Sequence, residues 1–214
     1  MLTVRSDRRE PIGVHLRQSM LDGACAHHCV AMALVILGLM TRAGALNMAH
    51  RKNGVSAALY RALKRSWMEG LYAGELVEVL AGLNLPIAIE WTGGFDSGVD
   101  GFAVEALKRG RLVLMAYQSE RGRAHRHWVL GVGCAGETSD RQLLVDSLLV
   151  LDPSVDELPF AIGNGVLYVP APMDFGSRFK SINWTYESVD GAENVRLMSA
   201  ISLTLRPIPS KRRH

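Results

Sequence analysis

A chain of 214 residues, 48% hydrophobic and 21% charged, is long enough for one well-packed domain, with room for a modest extension, and its composition excludes wholesale disorder. Its 24 Lys and Arg against 21 Asp and Glu leave a net charge of +3, too slight a surplus to point to nucleic acid. Three cysteines cannot all pair and form no dense framework, so a reducing compartment is expected and the cytoplasm is the predicted location.

Residues 1–10 are polar, with charges where a signal peptide needs an apolar stretch, so export by that route is not expected. Ile12, Val14 and Leu16 alternate with other residues, which predicts a short strand ending near Gln18. Asp22-Gly23 reads as a turn, with Asp22 as N-cap of a helix over 25–39 that is apolar nearly all round. The longest apolar run, residues 29–40, falls short of the roughly 18 residues of a membrane span, so a buried helix is expected and no anchor. Further helices are predicted over 55–68 and 73–83, on either side of Gly70. The glycine-rich stretch 92–101 lacks the Gly-Lys-Ser/Thr ending of a phosphate loop and reads as a plain loop before a short helix over 104–109.

Strand-like runs follow at 112–117, 127–134 and 143–151, and a fourth at 166–169 after the turn Gly163-Asn164-Gly165. Helices first and strands afterwards predict an α+β arrangement rather than a doubly wound sheet. Beyond Pro172 the chain turns polar until Val195, Leu197, Ile201, Leu203 and Leu205 define a last strand. The predicted organisation is a domain over 1–172, a β-containing extension over 173–206 and a basic tail over 207–214.

Four residues stand out chemically. Cys25 opens a helix, where free backbone N–H groups and the positive end of the dipole favour a thiolate. His127 opens the strand His127-Trp-Val-Leu-Gly-Val-Gly133, from whose mouth an imidazole can reach a nucleophile on a neighbouring helix. Asp152, at the end of the run 143–151 and before Pro153, can hold the imidazole in its productive tautomer. Asp146 competes for that role from mid-strand. Gln18 can donate to a developing oxyanion together with the Cys25 N–H.

Taken together, these segments resemble papain-like cysteine peptidases, above all the bacteriocin-processing, double-glycine leader peptidases. The likeness lies in Gln18, in Cys25 followed by Cys29, Ala31 and Met32, in His127 followed by an aromatic and small aliphatics, and in Asp152-Pro153. Gln18 stands seven residues before Cys25 where the family usually has six, and Ala26, His27 and His28 replace its glycine and small residues. The resemblance implies a papain-like fold, with N-terminal helices packed on an antiparallel sheet. It also implies a cysteine peptidase that acts on a peptide or isopeptide bond, with Cys25, His127, Asp152 and Gln18 catalytic and no cofactor.

Two rival readings remain open. Cys25, Cys29, His28, His125 and His127 supply the ligand types of a tetrahedral zinc site. A catalytically silent peptide-binding domain is the other. Nucleic-acid binding has only Arg121, Arg123, Arg126 and the tail residues Lys211 to Arg213 behind it, without an aromatic stacking motif, so none is expected. The predicted partner is a peptide or protein substrate.

Overall fold

Alternate residues of the strand Leu112–Ser119 fall into two different cores, and the architecture follows from that division. Leu112, Leu114 and Ala116 pack with a layer of helices, whereas Val113, Met115 and Tyr117 pack with the inward residues of five other strands. Because side chains point to opposite faces along a strand, a run buried on both faces must be covered twice. In the computed structural model, which describes residues 2–5, 11–19, 23–94, 98–120, 126–139, 142–159, 161–173 and 182–207, the second cover is the strand's own sheet closing on itself.

The elements in chain order are β1 (Thr3–Arg5), β2 (Pro11–Gly13), α1 (Cys25–Ile36), α2 (Arg42–Leu46), α3 (Gly54–Leu63), α4 (Ala73–Gly82), β3 (Ile87–Gly93) and α5 (Val99–Lys108). Then come β4 (Leu112–Ser119), β5 (Arg126–Ser139), β6 (Gln142–Leu151), β7 (Gly165–Met173), β8 (Trp184–Ser188) and β9 (Gly191–Leu205). Strands β4 to β9 pair antiparallel in succession, and β9 returns to pair with β4 as well as with β8. That makes a closed six-stranded barrel, which leaves no open edge among its members. Strand β3 adds to the outside of β9, and β1 with β2 forms a separate ribbon.

The expected papain-like α+β arrangement, helices packed on an antiparallel sheet, is therefore overturned: the chain is mostly sheet, closed into a barrel, with a few helices around it. The physical reason is strand β8, which lies in the stretch that read as polar, and the length of β9. Trp184 and Tyr186 are buried, and with them β8 bridges β7 and β9 and shuts the cylinder. Residues 173–206, expected as an extension, thus supply two barrel strands. Strand β3 was not expected, and its last two residues fall in the stretch read as a loop; α5 begins five residues before the predicted helix.

Helix α1 lies across the outer face of β4 and β5. Cys29, Met32 and Ala33 of α1 are completely buried in a core with Trp128, Leu130 and Leu114. The helix is apolar nearly all round because α2, α3 and α4 cover its other side, with Leu59, Leu63, Leu76 and Leu80 in the same core. All six barrel strands contribute to the second core, joined by Val99, Ala103, Val104 and Leu107 of α5. Among the described residues no helix is long and apolar enough to cross a membrane.

Candidate active site

Helix α1 starts at Cys25 with Ala24 as N-cap; among the described residues no side chain caps it, and no acidic residue occupies its first turn. The backbone N–H groups of Ala26 and of Trp128 in β5 both favour a charged sulfur at Cys25. Asp22, expected as the cap, lies outside the described residues. The preceding chain is pinned by Gly23, whose N–H donates to the Trp67 carbonyl at 3.1 Å. A side chain at Gly23 would place Cβ 2.6 Å from the Met68 carbonyl oxygen, so the approach to α1 requires glycine.

His127 sits near the start of β5, directly opposite Tyr117 of β4, and the two rings meet edge to face at 5.5 Å. Its Nε2–H donates to Asp152 Oδ1 at 2.7 Å, which leaves Nδ1 as the other working nitrogen, and the Cys25 sulfur is near enough to act on the imidazole's charge. Burial pushes the imidazolium down. The Asp152 charge and hydrogen bond, with those of Cys25, overcome it and raise His127 to about 10. For Cys25, burial pushes the thiol up, and the His127 hydrogen bond and charge with the two backbone N–H groups bring it below its ordinary value. The pair therefore favours thiolate beside imidazolium.

Asp152 follows directly on β6 and is 1% exposed. Its Oδ1 accepts from His127, from the Ser154 N–H at 2.7 Å and from Ser154 Oγ at 2.6 Å; Oδ2 accepts from Tyr186 Oη. Burial opposes ionisation here too, but the His127 charge and these donors hold the carboxyl at about 2. Its main chain is held as firmly. Asn164 Oδ1 accepts the Asp152 N–H at 2.6 Å, Asn164 Nδ2 donates to the Asp152 carbonyl at 2.8 Å, and His15 Nε2 contacts that carbonyl at 2.9 Å. Asp146, the competitor, accepts from its neighbour Ser147 at 2.6 Å and has no part in this cluster.

The structure thus brings together Cys25, His127 and Asp152 from three distant parts of the chain. Gln18 is joined to the group only through its main chain, whose N–H donates to the Pro153 carbonyl at 2.8 Å. Its side-chain Oε1 is buried without a hydrogen-bond partner, and among the described residues Gln18 makes no hydrogen bond to Cys25 or His127. Ser154, Tyr186, Asn164 and His15 went unread in the sequence. Asn164 was hidden in a Gly-Asn-Gly stretch that reads as a turn, and Tyr186 in a polar run whose only signal was the alternation Trp184-Thr-Tyr186.

Of the groups proposed for zinc, Cys29 and His28 point away from the pair. Cys29 donates its S–H to the Trp128 carbonyl at 3.4 Å, and burial, then the neighbouring Cys25, push its thiol well above the ordinary value. His28 Nδ1 faces the Ala24 carbonyl at 2.9 Å, and His27 Nε2 lies near the Leu63 carbonyl and Ser66 Oγ; both rings meet Trp67. His125 lies outside the described residues, among which no group of three His, Cys, Asp or Glu could hold a metal ion. Of the basic residues, Arg126 lies over the Tyr72 ring at 5.3 Å, while Arg121, Arg123 and the tail fall outside the described residues.

A cavity of about 600 Å³ opens beside the cluster, walled by His127, Asp152, Ser154, Tyr117, Tyr186 and Glu193. A second, of about 460 Å³, lies on the other side of the start of α1, between His28, Trp67, Leu46 and Tyr60. No protein-family model matches the chain, and no curated protein matches its sequence.

Proposed function

We propose that the protein is a cysteine peptidase that cleaves a peptide or isopeptide bond through Cys25, His127 and Asp152. One observation carries the reading: Cys25 lies close enough to the His127 imidazole for each to stabilise the other's charge, and the imidazole donates from Nε2 to a buried carboxylate at 2.7 Å. A histidine, a cysteine and an aspartate that served only packing would have no reason to meet in that order, at the start of a helix. The barrel is not the fold the sequence resemblance implied. The reading therefore rests on the residues themselves, and unrelated folds can host the same constellation.

The chemistry follows from the geometry. The Cys25 thiolate adds to the carbonyl carbon, forming a C–S bond while the carbonyl electrons move to oxygen. The Cys25 N–H at the start of α1 is the proposed donor to that oxyanion; losing one such donor typically costs about 2.7–4 kcal/mol of barrier. As the C–N bond breaks, the His127 imidazolium gives its Nδ1 proton to the leaving amine. The neutral imidazole then takes a proton from water, which attacks the thioester and releases the acid, and the thiolate–imidazolium pair is restored. The cavity beside His127 gives that water a way in. Asp152 keeps Nε2 protonated throughout and so fixes Nδ1 as the working atom. Gln18 is proposed as a second oxyanion donor, its amide turning from its present position.

The likeness of the segments around Cys25, His127 and Asp152 to double-glycine leader peptidases favours a peptide substrate. Free thiols at Cys25, Cys29 and Cys134 suit a reducing compartment such as the cytoplasm. The test is the rate of iodoacetamide alkylation at Cys25 as a function of pH, in the wild type and in His127→Ala. The expected result is a thiolate already reactive well below the ordinary thiol value of about 8.5 in the wild type and lost in the variant. Identical profiles would remove the case for a catalytic pair.

A further inference from the structure

We propose that Asn164 is a positioning residue of this site: its side-chain amide takes the place of a missing strand and fixes Asp152 beneath His127. The proposal rests on the peptidase reading and adds to it a residue that touches neither the substrate nor the reacting atoms.

Strands β6 and β7 are paired up to Val150 opposite Gly165, and the Asn164 N–H still reaches the Val150 carbonyl at 3.1 Å. Asp152 lies beyond that register. Its buried N–H would lack the partner that a strand residue obtains from its neighbour, a situation that costs about 1–3 kcal/mol. The Asn164 amide accepts that N–H at 2.6 Å and donates to the carbonyl at 2.8 Å, which His15 Nε2 also meets at 2.9 Å and the Val155 N–H at 3.4 Å. Its second N–H donates to the Val155 carbonyl at 2.9 Å and ties down the far side of the Asp152–Val155 turn, from which Ser154 also reaches the carboxylate.

The choice of residue is chemical. A carboxylate of the same shape has no donor, a serine cannot span both groups, and a glutamine is one methylene too long. The two flanking glycines belong to the same device. A Cβ at Gly163 would lie 2.4 Å from the Val150 carbonyl oxygen, and one at Gly165 would lie 2.7 Å from the Tyr186 ring. Gly163 thus lets the chain come close enough for Asn164 to reach Asp152. Gly165 leaves room for Tyr186 to cross to Oδ2. What reads in the sequence as a turn is the mount of the carboxylate.

The test is the same alkylation series on Asn164→Ala, with thermal unfolding measured alongside. A positioning role predicts that the acid limb of Cys25 reactivity moves up by about one pH unit, a roughly tenfold loss of rate at pH 6, in protein that is still folded. A lower melting temperature with an unchanged limb would make Asn164 merely structural and overturn the proposal. Asn164→Ser, which can keep one of the three bonds, is read in the same way if the alanine variant does not fold; failure of both to fold also overturns it. A wild-type limb that His127→Ala does not move counts instead against the peptidase reading, so the two failures are distinguishable.

Discussion

Tyr186 and His127 bind the two oxygens of one carboxylate: the phenol of β8 donates to Asp152 Oδ2, while the imidazole of β5 donates to Oδ1. The strand that completes the barrel therefore also completes the surroundings of the site. Tyr186→Phe removes one donor to a buried charge. The expected loss is about 1.5–3 kcal/mol of stability at neutral pH, measured by urea denaturation. Asp152 should then titrate higher than about 2. Gly165→Ala should give a similar loss through displacement of the Tyr186 ring, and the double variant should lose less than the sum of the two.

The same charges make stability depend on pH in two windows. Asp152 is lowered to about 2 in the folded chain, so its contribution is present above the unfolded value of about 3.9 and is lost as pH falls through 2. His127 is raised to about 10, so its contribution is full below its unfolded value of about 6.5 and is lost as pH rises from there through 10. Denaturation midpoints measured from pH 2 to 10 should show both declines in the wild type. In His127→Phe the alkaline decline attributable to this site should vanish. An alkaline limb of equal size in the variant would mean that the imidazolium is not held by Asp152.

Cys29 separates the nucleophile from its neighbour. Its thiol is fully buried, bonded to the Trp128 carbonyl and raised well above the ordinary value, whereas Cys25 is lowered. In the native protein at pH 7, iodoacetamide should label Cys25 and leave Cys29 untouched until the chain unfolds. Cys29→Ala should cost about 1 kcal/mol of stability through the lost sulfur contacts, with the labelling rate of Cys25 unchanged within about twofold. A zinc site built on both sulfurs requires the opposite, because removing one ligand would alter the other.

The local signals were legible where the periodicity was strong. Helix α1 begins at the residue where the apolar spacing starts, and β4, β5 and β6 contain the runs read at 112–117, 127–134 and 143–151. Cys25, His127 and Asp152 could be picked out because helix starts and strand ends are where side chains can be aimed. Closure was not legible: alternation shows that a strand has a buried face but not which strand covers it. β9 pairs with β3 near its end and with β4 and β8 along its length, a set of partners that no local pattern encodes. The surroundings of Asp152 were hidden for a related reason, since His15, Asn164 and Tyr186 reach it across sequence separations of 137, 12 and 34 residues.

Closure also decides what the C-terminal part of the chain is for. An appended extension could be removed to leave a folded domain over 1–172; barrel strands cannot. Removing everything after Met173 would strip β3 and β4 of their partner β9 and β7 of its partner β8, leaving three rows of backbone groups unpaired. Val195, Leu197, Ala200, Ile201 and Leu203 would leave both cores at once, and Trp184 and Tyr186 would leave the inner one. Each large buried side chain lost from such a core typically costs about 2–5 kcal/mol, so the total exceeds the 5–15 kcal/mol by which most domains are stable. The truncated chain should therefore show no cooperative thermal transition and no dispersed amide spectrum, and Cys25 should react with iodoacetamide at the pace of an unstructured thiol. A truncated chain that melts cooperatively and keeps a fast-reacting Cys25 would mean that the cylinder is not the unit that holds the site.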